Sequence, residues 1–214
     1  MMLWKKKSRF ERSLKILAEK GFTAEYADSL RAEIGEAKRA QDIAKGKSFL
    51  ANALLILGNL TEAYAVFEDI NMKKLEPHLR GNLVSNMVFL KFVQDDFKAA
   101  EELYRTYNAE ILGEHSDAAK RSLAIHEHIK GRYENSVEIF AKMMDSECRF
   151  LDICMVKSML RLDMYERAAD FSLYFKRYDS CGELAEEVKK LRKKIIGGLP
   201  PKVKAEYIKK GVGG

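Results

Sequence analysis

The sequence predicts an all-α chain built of stacked antiparallel helix pairs. Apolar residues recur at helical spacing along most of the 214 residues, as Leu50, Leu54 and Leu57 do at i, i+4 and i+7. Only 3 Pro interrupt the chain, and long stretches lack the β-branched alternation of a half-buried strand. One unit also returns down the chain. A small residue marks a close helix crossing at Ala63, Ala100, Ser136 and Ala168, at intervals of 37, 36 and 32 residues.

The elements follow in order. Ser8-Arg9-Phe10-Glu11 has capping-box spacing, with Phe10, Leu14 and Leu17 on one face, and Gly21 ends that helix. Thr23 caps a long polar helix reaching about Lys45, with Tyr26, Leu30 and Ile34 on one stripe and Gly35 inside it. Ser48 caps the next helix. Gly58 closes it, because glycine enters the left-handed region without a Cβ clash. Thr61 then caps a partner helix carrying Ala63, Phe67 and Ile70.

After Pro77, Leu83, Met87 and Leu90 share a face that Phe89, Phe92 and Val93 widen. Asp95-Asp96 makes the turn to Phe97, Ala100, Tyr104 and Tyr107. Ser116 caps a third pair, with Leu123-Ala124, a turn at Gly131, then Tyr133, Ser136, Phe140 and Met143. A fourth pair has Met155, Met159 and Leu162, then Tyr165, Ala168 and Phe175. Gly182 to Ile196 reads as a charged helix with an apolar stripe of Leu184, Val188, Leu191 and Ile195. Gly197-Gly198-Leu199-Pro200-Pro201 is a break, Lys202–Lys210 one or two further amphipathic turns, and Gly211–Gly214 a disordered tail. Three regions result: residues 1–45, an atypical capping pair; 46–178, three to four repeat units; and 179–214, a basic capping helix and flexible tail.

Composition bounds the function. With 47% hydrophobic and 33% charged residues the chain is expected to fold. No apolar run approaches the ~20 residues that cross a bilayer. Met1-Met2-Leu3-Trp4 before Lys5-Lys6-Lys7 lacks the apolar core of a signal peptide, so a cytoplasmic location is expected. Cys148, Cys154 and Cys181 are odd in number, without metal-type spacing, and read as reduced and mostly buried.

The formal charge of +6 is unevenly placed. Residues 1–15 hold six Lys/Arg and one Glu, and residues 189–210 hold nine Lys/Arg and one Glu. The body between the two ends is therefore acidic. The basic ends suit an anionic membrane, through Trp4 and its lysines, or nucleic acid, through Lys189-Lys190-Leu191-Arg192-Lys193-Lys194. That tract has no interleaved aromatic side chains to stack bases.

The units resemble the tetratricopeptide repeat (TPR) family. Leu50, Ala51, Leu54, Gly58, Leu60, Ala63 and Phe67 match its pattern in the first unit, Phe97, Ala100 and Tyr104 in the second, and Leu123, Ala124, Gly131, Tyr133 and Phe140 in the third. The resemblance covers roughly residues 44–175. The chain departs from the family at Lys47, Val84 and Lys120, where a bulky side chain is usual, and at Lys91 and Glu127, where an aromatic is usual. The closing Pro is missing, with Pro77 two positions late.

The resemblance implies an α-solenoid, a superhelical scaffold without catalytic activity, whose concave groove binds a partner's peptide or helix. The groove positions are Asn52, Leu55, Ser85, Asn86, Phe89, Phe92, Arg121, Ile125 and His128. Phe89 and Phe92 face either a partner, the protein's own core, or a terminal segment of the chain lying in the groove. Asn52 and Asn86 stand at the two Asn positions of the family's carboxylate clamp. Ser48, Ala118 and Ser122 hold its basic positions, with Lys47 and Arg121 each one residue away. One residue turns a helix face by about 100°, so a clamp is not expected.

No enzyme motif stands out. His126 and His128 are two apart and point to different helix faces, and His78 and His115 are isolated, so neither metal nor cofactor is expected. The leading expectation is a protein–protein interaction module. The alternative is a nucleic-acid- or membrane-associated regulator working through basic termini. Self-association through Gly182–Ile196 is a further partner reading.

Overall fold

The computed structural model describes residues 9–113, 117–144 and 149–212. Among them the chain is all-helical, with no strand. Helices α1 (Glu11–Lys20) and α2 (Ala24–Gly35) form the first pair, and α3 (Ala40–Leu57) and α4 (Leu60–Glu68) the second. The third pair is α5 (Pro77–Val93) and α6 (Phe97–Thr106), followed by the short α7 (Asn108–Gly113). Then come α8 (Asp117–Ile129) with α9 (Tyr133–Ala141), and α10 (Leu151–Leu160) with α11 (Tyr165–Ser172). A 3-10 helix (Leu173–Tyr178), α12 (Gly182–Gly198) and α13 (Pro201–Lys209) complete the chain.

Local chemistry accounts for most of the boundaries. Thr23 Oγ1 accepts the Tyr26 amide at 3.2 Å. Pro77 occupies the first turn of α5, where its missing N–H is not needed. Gly58 (φ 83°) and Gly131 (φ 75°) turn the chain through the left-handed region. Asp95 (φ 61°) does the same between α5 and α6, and the Asp96 side chain caps the Ala99 amide.

Several sequence expectations are corrected. The long helix to Lys45 breaks at Glu36–Arg39, just after Gly35, and α3 begins at Ala40. Ser48 therefore lies inside α3, where its hydroxyl donates to the Lys45 carbonyl and caps nothing. Leu14 is 41% exposed, because the inner face of α1 is polar: Ser13 is buried against Ser29 and the Glu33 carboxylate. Gly197 and Gly198 continue α12, and the break falls at Leu199–Pro200. Val212, expected in a loose tail, is fully buried. α7 has no counterpart in the sequence reading. The caps assigned to Ser8 and Ser116 lie outside the described residues.

Two features set up the candidate site. First, every residue of α10 from Leu151 to Met159 is buried. A helix buried all round is central to its fold rather than amphipathic. Second, the C-terminal helix returns to the early pairs. The Gly58 backbone meets the start of α12 so closely that a Cβ there would lie 1.9 Å from the Cys181 carbonyl oxygen. The Leu184 amide donates to the Gly58 carbonyl at 3.2 Å, and Glu183 accepts from both the amide and the hydroxyl of Thr61. The cap that α4 needs thus comes from 122 residues away.

Candidate functional site

The nine groove positions are mostly interior rather than an open surface. Leu55, Ser85, Phe89, Phe92, Arg121, Ile125 and His128 are buried, and Asn52 and Asn86 are half-buried. Phe150, at the entry to α10, stacks on Phe89 with ring centroids 4.6 Å apart. Of the alternatives for Phe89 and Phe92, the structure has both rings buried in the protein's own core rather than lining an open groove. Helical periodicity marks both rings as apolar-face residues but does not say which neighbour covers them.

Asn52, Asn86 and Arg121 form a ladder across α3, α5 and α8. Asn86 Nδ2 donates to Asn52 Oδ1 at 3.0 Å, and the Arg121 guanidinium donates to Asn86 Oδ1 and to the Arg149 carbonyl. The guanidinium also lies over the Phe89 ring at 5.1 Å. These rungs join successive helix pairs. They satisfy polar groups that would be costly to bury alone.

His128 shares this interior. Its Nδ1 lies 2.9 Å from Ser158 Oγ, which also meets Ser136 Oγ at 2.9 Å. Burial first, then the cations Lys157 and Arg161, push the imidazole down to about 4. The ring is neutral near pH 7.

Lys157 is the residue that periodicity overlooked, although a lone cation in the apolar run Ile153–Met159 is a usable signal. It is nearly fully buried, and its ammonium donates to the Phe92 and Val93 carbonyls at 2.6 and 3.1 Å and to Asp95 Oδ1 at 2.5 Å. It thereby caps the C-terminal end of α5 from α10. Burial lowers its pKa against the opposing pull of Asp95. Burial works to raise the pKa of Asp95, but the hydrogen bond and charge of Lys157, aided by Lys194, hold it below the ordinary carboxylate value.

Beside this cap opens a cleft of about 580 Å³ between the α5–α6 turn, α10 and α12. Phe97, Leu160, Tyr165 and Leu191 give it apolar walls, and Gly197 and Gly198 form its rim on α12. Its lining carries three cations, Lys157, Arg161 and Lys194, and one carboxylate, Asp95. The Nε of Arg161 donates to the Tyr133 hydroxyl at 3.1 Å, and Lys194 lies 3.5 Å from Asp95 Oδ2. Apolar walls beside excess positive charge suit recognition of a ligand that is both apolar and anionic.

The basic tract on α12 is partly consumed by the fold. Leu191 and Arg192 are buried, the latter donating to Asp179, while Lys190 pairs with Glu187. Leu184, Val188, Leu191 and Ile195 are all buried, so the stripe considered for self-association packs within the chain. Among the described residues no helix is long and apolar enough to cross a membrane, and no three His, Cys, Asp or Glu are grouped to hold a metal. No protein-family model matches the chain, and no similar curated protein or solved structure is found.

Proposed function

We propose that this chain is a non-catalytic protein-interaction module: a tetratricopeptide-like α-solenoid wound closed on itself. Its contact surface is the cleft between the α5–α6 turn, α10 and α12, which takes a short segment of a partner protein. The observation that carries this reading is the contrast between two concave regions. The inner face is occupied by the chain's own Phe150 and α10, whereas the cleft is open and pairs apolar walls with unbalanced cations. A reducing, cytoplasmic setting fits the free thiol of Cys181.

Gly197 offers a direct test. It lines the cleft, it is helical, and a Cβ added there meets nothing within 4 Å. Gly197→Trp should fill the cleft while leaving the fold unchanged. Affinity capture after crosslinking should lose its specific partners in Gly197→Trp, with helicity and thermal midpoint retained. Identical partner sets from both proteins would sink the reading.

A further inference from the structure

We infer that the cleft recognises an acidic peptide, holding an Asp or Glu side chain between Arg161 and Lys194 while neighbouring aliphatic or aromatic side chains lie on Phe97, Leu160 and Leu191. This rests on the cleft being the partner contact and adds the chemistry of what it takes. Two observations lead there.

The first is how the charges are distributed. Lys157 is spent inside, with its donors directed to two carbonyls and one carboxylate. Asp95 is spent in turn, one oxygen on Lys157 and the other facing Lys194. Asp163, the nearby carboxylate, accepts from the Tyr165 hydroxyl and does not line the cleft. His128 at the floor is neutral near pH 7 and neither adds nor offsets charge. The lining therefore carries three cations against one carboxylate, and the two nearest the mouth, Arg161 and Lys194, are exposed.

The second is the geometry of Arg161. Its Nε is engaged by Tyr133, whose ring lies 5.2 Å from the guanidinium carbon. That contact holds the planar group while leaving the terminal nitrogens to grip a carboxylate in fork fashion. Lys194 keeps further donors beyond the one directed at Asp95. The apolar walls supply the remaining contact area, which a bare inorganic anion does not use.

The test is an array of short peptides, each with one Asp or Glu beside Leu, Ile or Phe, and each matched by its Asn or Gln counterpart. The full chain is the probe, and the Kd of the best pair is then measured by fluorescence anisotropy. The acidic member is expected to bind about tenfold tighter or more, as a charge-assisted contact provides. That preference should shrink in Arg161→Gln and Lys194→Gln, fall only partly in Arg161→Lys, and weaken with added salt. Equal binding of acid and amide members, lost in Gly197→Trp, overturns the acidic assignment while leaving the cleft as the contact surface. Binding of no member also overturns it. Partner capture unchanged in Gly197→Trp removes the underlying reading separately.

Discussion

His128 illustrates how much a single residue's behaviour depends on its cover. Its imidazole lies among Phe92, Phe97 and Tyr133, with Lys157 and Arg161 on one side and Asp95 beyond. The folded state binds its proton near pH 4, the unfolded state near 6.5. The unfolded chain thus holds more protons between those values. The stability tied to the neutral ring is complete above about pH 6.5 and is lost as pH falls toward 4. The contribution is on the order of 3 kcal/mol between pH 7 and pH 4. Urea unfolding should show this extra acid sensitivity in the wild type and not in His128→Gln. Equal losses in the two proteins would contradict a buried neutral ring. The sequence showed His128 as one of two close histidines; its depressed pKa follows from burial first and then from Lys157 and Arg161, which the fold brings near it.

At the scale of elements, Gly58 and Gly131 look alike in sequence and differ in the fold. Both have positive φ and both close a helix pair. A Cβ on Gly131 meets nothing within 4 Å, whereas one on Gly58 collides with the Cys181 backbone. Gly131→Ala should cost about 1–2 kcal/mol, the left-handed strain alone. Gly58→Ala adds displacement of α12 to that strain, and its loss should exceed that of Gly131→Ala by about 2 kcal/mol or more. Equal losses in thermal or urea unfolding would mean that the α12 contact is not held. The helix-ending role of Gly58 was legible because it is a local backbone requirement. Its second role was not, since Cys181 is remote in sequence.

For the whole molecule, closure by α12 separates this chain from an open array in which each unit touches only its neighbours. The Thr61 amide donates to Glu183, and Leu184 donates to the Gly58 carbonyl. Removing residues 179–214 should therefore speed amide hydrogen exchange around Gly58–Ala63 as well as in α10 and α11. Faster exchange confined to α10 and α11 would show that the early pairs do not depend on closure. The same packing accompanies the burial of the groove positions: Glu183 reaches Thr61, while α10 and Phe150 lie against the inner residues.

The sequence by itself determined most of the helices and their turns, their pairing and the small residues buried between them. These rest on interactions within about one helical turn or between consecutive helices, where spacing and backbone preference decide. It also brought Asn52, Asn86 and Arg121 to notice, because equivalent faces of successive units line up. Only the tertiary structure decided which apolar faces are covered, that α10 runs through the centre, that Lys157 caps α5, and that a cationic cleft opens beside α12. Those outcomes depend on how helices remote in sequence pack against one another. No local pattern of residues encodes that packing.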